Sequence, residues 1–489
     1  MKQQQSGSSR FFFHRKTSLW IRRWCMVLGM LSTGWPAYAQ ETEDLLPPPS
    51  FQTARAEEDY SYLRDPATSP YTQGVLDPIK FLALGSERRS YLTLGGGYRA
   101  RLQHFTNRNW TEEDVTSYSQ RASLHAQLVL GDHLKIFGEL YHGYSTSGQE
   151  FLETDVLDLH QGFVRWESSV GESSTLAVSV GRQEMELGAS RLVGLREGPN
   201  LRRSFDMAHA VVSIKETDLQ VFYGKEVAIG FEAFDNSGGV FQADATAPTL
   251  WGIFGDFSLP FLIGKTELYY LGFHRPMSFF HDGQGEEVRH SFGIRRFGTV
   301  KKNGRYNTEF IYQFGSLGDN IVRAFNFEGD WQHTFPRLPW RLTLGLKLDW
   351  SSGDATLGDG RLQTFNPLFV NPAIYSLAGV NTPANLTSLH PSILLFPAKG
   401  WLIYADYAFF WRTSLNDGLY APPAFLSRPA MSLTERDIGN VVGLNVTYTI
   451  HRNLSVNLLS SYFIPGSFIE ASGASEATFF VAPTLDFKF

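Results

Sequence analysis

The sequence predicts an all-β protein: a single antiparallel transmembrane β-barrel of about eighteen strands, with long extracellular loops and short periplasmic turns. From Ser90 to Phe489 the chain divides into segments of about 9–15 residues in which apolar and polar residues alternate. The connections between these segments are alternately short and long. Aromatic residues make up 14% of the chain although its mean hydropathy is only −0.19, which fits strands that expose every second residue to lipid.

The first 39 residues have the composition of a signal peptide. They contain six Lys or Arg, no acid, a short apolar stretch at residues 24–31 and an A-x-A site that ends at Ala39. We expect cleavage after Ala39, which leaves a mature chain without cysteine. Residues 40–89 are Pro-rich, at first acidic, and show no alternation. They are interpreted as a periplasmic extension, either a plug-like element or a disordered tether, and residues 90–489 as the barrel.

The clearest segment runs from Trp340 to Trp350. Its even positions are apolar with a Trp at each end, and its odd positions are Arg, Thr, Gly, Lys and Asp. Aromatic residues at both ends of an apolar band match the two interfacial girdles of a membrane barrel. The last segment, residues 479–489, carries five large apolar residues on one face and ends on Phe489, an ending that resembles the assembly signal of outer-membrane barrels. On an open sheet edge this face would promote aggregation.

Connection lengths give the strand number independently. Short turns are predicted after even-numbered strands at residues 131–133, 216–217, 302–304, 397–400 and 451–453. Long connections are predicted after odd-numbered strands at residues 106–117, 185–205, 225–248, 275–287, 352–390 and 414–435. Only the short turn at residues 318–320 lies where a long loop is expected. This alternation is typical of a closed up-and-down barrel.

Strand parity predicts a basic lumen. The basic residues assigned to it are Arg99, Arg101, Arg121, Lys135, Arg165, Arg289, Arg295, Arg341, Lys347 and Arg412. Fewer acids share these faces, namely Glu139, Glu267, Glu309, Glu328, Asp330, Asp349 and Asp406. A barrel of this size can keep a water-filled channel, and a surplus of guanidinium groups there would attract anions and bind carboxylates. Alternatively, these charges pair across strands and brace the barrel.

The densest basic cluster lies between residues 181 and 206, where Gly, Pro and Asn rule out a regular strand. Its candidate constriction residues are Arg182, Glu184, Arg191, Arg196, Arg202, Arg203 and Asp206. Two positions are compatible with this composition: a loop folded into the lumen, or a solvated outer loop that binds lipopolysaccharide phosphates. Arg182 has the parity of the apolar residues Leu176, Val178 and Val180, so a lumen position would require a bulge or a strand end.

Charge and motifs exclude several classes of function. The mature chain contains 37 Lys and Arg against 49 acids, which argues against nucleic acid as a partner. G-x-S-x-G, H-E-x-x-H, EF-hand and C-x-x-C motifs are absent, and the 13 His do not cluster at metal-ligand spacing. We therefore predict no enzyme activity, no cofactor and no metal site. A barrel enzyme or an adhesin that uses the 352–390 loop is the alternative from another class.

Five motifs follow one another along the mature chain: residues 58–66, the 181–206 block, and residues 352–369, 411–420 and 463–468. Together they resemble the alginate-export porin family, and the resemblance covers essentially the whole mature chain. It implies an eighteen-stranded barrel with an Arg-rich lumen that passes an anionic polysaccharide and is gated by loops. We therefore predict an outer-membrane channel for alginate or a related uronate polymer, with periplasmic export proteins as possible partners and lipid and lipopolysaccharide around the barrel.

A substrate-selective porin for small anionic or aromatic solutes is the alternative within transport. It would be favoured if the lumen aromatics line a narrow apolar path. These aromatics are Phe137, Tyr141, Phe163, Tyr404 and Phe410.

Overall fold

The computed structural model describes residues 47–489 except residues 66–68, 73, 147–149, 238–245, 260–262 and 372–380. The predicted signal peptide and its cleavage after Ala39 lie outside the described residues, as does the start of the N-terminal extension. Within these ranges, the structure contains no helix whose length and hydropathy would let it cross a membrane.

Eighteen antiparallel strands, numbered β1 to β18 here, form one closed barrel, so the predicted fold class is confirmed. They span Ser90–Thr106, Val115–Leu130, Leu134–Ser145, Asp155–Ser169, Ser174–Gln183, Phe205–Ile214, Thr217–Glu226, Thr249–Phe257, Lys265–Phe280, Gly283–Val300, Gly304–Leu317, Asn320–Thr334, Thr343–Ser351, Leu386–Leu395, Trp401–Arg412, Asp437–His451, Leu454–Pro465 and Thr478–Lys488. Each strand pairs with its neighbours in sequence. Strand β18 pairs with β1, with Arg99 opposite Asp486, and this closure removes the free sheet edges.

The two faces of the barrel differ as the alternation predicts. Leu124, Phe292 and Leu346 point outward and are 55%, 53% and 42% exposed, whereas the adjacent His125 and Ser291 point inward and are buried. Because successive side chains of a strand lie on opposite faces, the outer surface is an apolar band and the inner surface is polar. This arrangement suits a barrel surrounded by lipid.

The long connections all lie at one end of the barrel, together with the two-residue turns at 281–282 and 318–319. The short turns at the other end include residues 131–133, 170–173, 215–216, 301–303, 396–400 and 452–453. The long connections comprise residues 107–114, 146–154, 184–204, 227–248, 352–385, 413–436 and 466–477. The 413–436 connection contains a hairpin of Leu419–Ala421 and Phe425–Arg428, and the 466–477 connection contains the helix Ser467–Ser472. The short-turn end faces the periplasm in barrels of this kind.

One predicted long loop, residues 275–287, is wrong. Strands β9 and β10 continue through these residues to a turn at His281 and Asp282. Cross-strand pairs from Arg275 opposite Glu287 to Phe280 opposite Gly283 extend the hairpin, with a register shift after Arg275. The polar composition that suggested a loop instead belongs to the ends of long strands. The short turn predicted near residue 319 is confirmed between β11 and β12.

The N-terminal segment, defined here as the described residues between 47 and 84, is packed within the short-turn end of the barrel. It contains two 3-10 turns, Arg55–Glu57 and Ser61–Leu63, the helix Asp77–Lys80 and a short strand, Leu82–Leu84, that pairs with β1. Phe51 and Tyr60 are buried, and Ala56 packs against the inward-facing Phe137 and Phe163. This part of the extension is therefore packed against the inner wall of the barrel.

Candidate functional site in the lumen

The connection between β5 and β6, residues 184–204, folds into the lumen and is called the inward loop here. On one side, Arg191 forms ion pairs with Glu309 of β11, at 3.4 Å, and with Glu328 of β12. On the other side, the Asn200 amide donates hydrogen bonds of 3.1 Å to carbonyl oxygens of β2 and β3. The loop therefore crosses the lumen and does not lie on the outer surface.

A second connection, residues 352–385, packs against the inward loop. The Phe369 N–H donates to the Leu192 carbonyl oxygen at 2.8 Å, and the Phe369 carbonyl accepts from Gly194 at 3.0 Å and from Arg203 at 2.6 Å. The two loops and the barrel wall share an apolar cluster that includes Met185, Leu187, Leu192, Val193, Phe205, Phe254, Phe273, Phe365, Leu368 and Phe369. Such a cluster fills one side of the lumen and fixes the position of the inward loop.

On the other side of the inward loop lies a small cavity of about 40 Å³, called the basic cavity here. The N-terminal segment, the inward loop and strands β1, β2, β3 and β18 line it. Its charged lining consists of five cations and two carboxylates, namely Arg55, Arg99, Arg121, Arg202, Lys488, Glu197 and Asp486. The cavity therefore combines an excess of positive charge with a position between the two elements that narrow the lumen.

Wall arginines hold the backbone of the inward loop. Arg99 donates to the carbonyl oxygens of Glu197 and Pro199, at 3.0 and 2.6 Å, and Arg101 donates to that of Gly198 at 2.5 Å. Buried carbonyl groups need donors, and the guanidinium group provides several in one plane. The nearest acceptors of Arg99 and Arg101 are therefore main-chain carbonyl oxygens of the inward loop, and not carboxylates.

The carboxylate of Glu197 lies among three guanidinium groups. Its distances are 2.7 Å to Arg121, 3.1 Å to Arg202 and 3.9 Å to Arg99. Burial alone would raise the pKa of Glu197, but the charges of Arg121, Arg202 and Arg99 outweigh it and hold this pKa well below its usual range. The surrounding guanidinium groups therefore favour the ionised form of Glu197.

The remaining predicted lumen cations lie away from the basic cavity and have local partners. Arg289 pairs with Glu287 at 2.7 Å and Arg295 with Glu267 at 2.6 Å. The other contacts are Lys135 with the Ala56 carbonyl at 3.4 Å, Arg165 with Glu167 at 3.2 Å, Lys347 opposite Asp330 on the neighbouring strand, and Arg412 with the carbonyls of Leu415, Asp417, Leu433 and Glu435. Each of these residues therefore has a contact or a cross-strand neighbour of opposite charge within the barrel, its loops or the N-terminal segment.

The predicted lumen position of Arg341 is wrong. Pro339 and Arg341 bound a 3-10 turn, and β13 starts only at Thr343. Prolines at positions 336 and 339 cannot take part in a strand ladder. Arg341 therefore precedes the first residue of β13, and the alternation of the strand does not determine where its side chain points. The residue is exposed at the short-turn end, with its guanidinium group 5.5 Å from the Phe396 ring.

The predicted constriction roles of Arg182 and Asp206 are also wrong. Both belong to regular strands, where they pair with each other across β5 and β6 at 2.9 Å. The neighbouring Phe205 and Met207 point into the lumen cluster, so parity directs Asp206 and Arg182 to the outer face. There Arg182 also approaches Asp158 at 3.7 Å. No bulge turns either side chain inward.

The other predicted constriction residues lie in or beside the inward loop. Glu184 contacts His160 at 2.8 Å and Arg202 at 2.9 Å. Arg203 pairs with Glu226 at 2.8 Å, and Arg196 lies 3.9 Å from the same carboxylate. Of the predicted constriction residues, Arg202 is the one that lines the basic cavity.

Sequence reasoning missed four residues of the basic cavity: Arg55, Glu197, Asp486 and Lys488. Asp486 and Lys488 share the polar face of the last strand, so their parity was a sufficient signal. Arg55 lies in a segment without alternation, and the sequence contains no comparable signal for it. Glu197 is one acid among many arginines, and only the fold shows which of them it contacts.

The predicted lumen aromatics are divided among separate packed groups. Phe137 and Phe163 pack under Ala56, Tyr141 stacks on His160 at 4.0 Å, and Phe410 belongs to a cluster with residues of the long loops. Tyr404 lies apart from them on β15, opposite Asn445 of β16. These residues do not form one apolar path. Across the described part of the chain, no three His, Cys, Asp or Glu side chains are grouped to hold a metal ion.

A family comparison identifies this architecture. The sequence model named "Alginate export" matches residues 90–482. The chain belongs to the alginate-export family. This alginate-export barrel has no significant match among curated protein sequences. As an eighteen-stranded barrel of a porin family, it is an outer-membrane channel.

Solved porin structures share the fold of this alginate-export barrel. OpdO of Pseudomonas aeruginosa is 13% identical with a TM-score of 0.54, and the match covers 84% of this chain and 98% of OpdO. OccAB1 of Acinetobacter baumannii is 11% identical with a TM-score of 0.53, covering 81% and 96%. OpdK of Pseudomonas aeruginosa, solved with vanillate, is 11% identical with a TM-score of 0.53, covering 81% and 98%. The family and these neighbours are porins, which are not enzymes.

Proposed function

We propose that this alginate-export barrel is a passive channel for an anionic polysaccharide such as alginate or a related uronate polymer. One observation carries the proposal: five cations and two carboxylates line the basic cavity, which lies between the N-terminal segment and the inward loop. Fixed cations lower the barrier to an anion in a narrow pore. Membership of the alginate-export family supports a uronate polymer as the anion.

The chemistry of the lining suits carboxylates. Four of the five cations are arginines, and a guanidinium group can donate two parallel hydrogen bonds to one carboxylate. A uronate polymer presents one carboxylate per sugar, so each guanidinium group could exchange one carboxylate for the next as the chain advances. Such exchange down a gradient needs no energy source. Conduction also requires that each contact stay weak enough to break.

Passage of a polymer through the basic cavity requires the elements that line it to move. The cavity has a volume of about 40 Å³, which is room for roughly one or two water molecules. The inward loop and the N-terminal segment are the two non-barrel elements that bound it. We therefore assign gating to these two elements, in line with the loops that the family resemblance implied.

A second candidate function is the passage of small anionic or aromatic solutes. The small volume of the basic cavity favours it, and the porin OpdK was solved with vanillate, an aromatic carboxylate. The two candidates share the same anion-binding chemistry and differ in the size of the substrate.

Block of ion current in planar bilayers separates the candidates. Purified protein would be titrated with polymannuronate, with monomeric glucuronate and with neutral dextran of the same mass as the polymer. The polysaccharide function predicts block by polymannuronate at the lowest concentration and no block by dextran. Block by glucuronate alone would favour the small-solute function. Equal block by dextran and polymannuronate would reject charge-based recognition and both functions with it.

A further inference from the structure

We propose that the Glu197 carboxylate is a built-in competitor of the substrate. It occupies the anion position formed by Arg121, Arg202 and Arg99, so a substrate carboxylate must displace it before it can bind there. Glu197 thereby becomes a specificity-determining residue of the channel. The inference rests on the proposed function only in taking the substrate to be an anion.

The contacts of Glu197 are those expected of a bound carboxylate ligand. Its Oε1 lies 2.7 Å from Nη2 of Arg121, and its Oε2 lies 3.1 Å from Nε of Arg202. Nη1 of Arg99 is 3.9 Å from Oε1. The Arg121 contact is a charge-assisted hydrogen bond, which is stronger than a neutral one, and the Arg202 contact is an ion pair without hydrogen-bond geometry. A uronate carboxylate has the same two oxygens and the same charge.

Exposure distinguishes Glu197 from its partners. The side chains of Arg99, Arg121 and Arg202 are 4%, 11% and 4% exposed, whereas that of Glu197 is 36% exposed. Glu197 is thus the most exposed of the four side chains, although its Oε2 is itself buried. Rotation of this one side chain would uncover the guanidinium groups.

The loop backbone does not depend on the Glu197 carboxylate. Arg99 and Arg101 hold the carbonyl oxygens of residues 197–199 directly. The Asn200 amide donates three further hydrogen bonds to carbonyl oxygens at 3.0–3.1 Å. The backbone at Glu197 and in the three residues after it is therefore anchored, so the Glu197 side chain can leave the arginines while the inward loop stays in place.

Displacement of a tethered carboxylate favours multivalent substrates. Because Glu197 is attached to the inward loop, its carboxylate has a high effective concentration at the arginines, which a single free carboxylate does not match. A polymer carries many carboxylates, and the binding of one raises the local concentration of the next. Glu197 therefore sets a threshold that polyanions pass and monoanions do not.

The test compares block by polymannuronate and by glucuronate in wild-type protein and in Glu197→Gln. The substitution keeps the size of the side chain and removes its charge. We expect the half-blocking concentration of glucuronate to fall about tenfold or more, since one charge-assisted contact typically contributes that factor. The half-blocking concentration of polymannuronate should fall less, so the preference for polymer should shrink.

Glu226→Gln is the matched control. Glu226 pairs with Arg203 of the same loop at 2.8 Å but does not line the basic cavity. We expect the Glu226→Gln variant to have the same preference for polymannuronate over glucuronate as the wild type. Glu197→Asp, which keeps the charge on a shorter side chain, should fall between the wild type and Glu197→Gln, and it provides a second variant if Glu197→Gln does not insert.

Several outcomes overturn the inference. Glucuronate block that is unchanged or weaker in Glu197→Gln would show that Glu197 does not compete with anions. If glucuronate blocks Glu226→Gln as strongly as it blocks Glu197→Gln, loosening of the inward loop, and not the vacated anion position, causes the stronger block. If polymannuronate fails to block the wild type, the polysaccharide function fails; a gain of glucuronate block in Glu197→Gln would still support the inference, and its absence would overturn it.

Discussion

Arg55 of the N-terminal segment donates a hydrogen bond of 2.7 Å to the main-chain oxygen of Phe489, the residue that follows β18. The same guanidinium group donates to the Gly96 carbonyl of β1 at 2.9 Å and pairs with Glu58 at 2.8 Å. The segment is thus fastened where β18 meets β1. One buried side chain connects the plug-like element to the closure of the barrel.

Replacing Arg55 with Ala should release the N-terminal segment. The change removes these contacts and leaves Glu58 buried without its cation, which typically costs about 3–5 kcal/mol. We expect a larger and noisier single-channel conductance, together with faster protease cleavage between residues 47 and 84. Arg89→Ala is the control, because Arg89 is 64% exposed and its nearest carboxylate is 3.6 Å away. Equal conductance of Arg55→Ala and wild type would reject a plug role.

Replacing Arg121 with Gln should weaken polyuronate block. Arg121 lines the basic cavity and directly contacts Glu197, and loss of one charge-assisted hydrogen bond costs about 1.5–3 kcal/mol, or roughly tenfold or more in affinity. The measurement is the half-blocking concentration of polymannuronate. Arg165→Gln removes the same charge from a position outside the cavity, beside Glu167, and should leave block unchanged. Equal losses in both variants would assign the effect to overall lumen charge.

A disulfide between the two inward-folded loops should close the channel to polymer. A Cβ placed on Gly194 would lie 3.1 Å from Cβ of Asn371, slightly shorter than the roughly 3.8 Å typical of disulfides, so a small shift would allow the bond. The only native cysteine is Cys25, in the predicted signal peptide. We expect oxidised Gly194→Cys/Asn371→Cys to exclude polymannuronate and reduction to restore its passage.

Each single cysteine variant is the control for this experiment and should respond to neither oxidant nor reductant. Passage of polymer through the fully oxidised double variant would mean that the inward loop can move without separating from residues 352–385. Gating would then have to lie in the N-terminal segment alone.

Strand positions were largely predictable because the lipid imposes a regular pattern. Every second residue of a spanning strand contacts an apolar medium, so the alternation is set by the environment and not by particular partners. The prediction failed where that environment ends. Arg341 follows two prolines at the short-turn end, and residues 275–287 belong to strands that continue beyond the predicted span with polar residues on both faces.

The site was less predictable because its contacts join distant parts of the chain. Parity placed Arg99 and Arg121 in the lumen, but their partner Glu197 is 98 and 76 residues away, respectively. Arg191 and Glu328 are farther apart still in the sequence, and nothing local indicates that they meet. Composition identified the 181–206 block as a loop with two possible positions, and only packing against residues 352–385 determines which one it adopts.

The zero-current potential of the wild-type channel in a tenfold KCl gradient across a planar bilayer tests the proposed function most directly. The sign of this potential reports which ion the lumen prefers. If the basic cavity controls permeation, the potential has the sign of chloride selectivity, and it shifts toward zero in Arg121→Gln but not in Arg165→Gln. A potential with the sign of potassium selectivity in the wild type would contradict an anion channel.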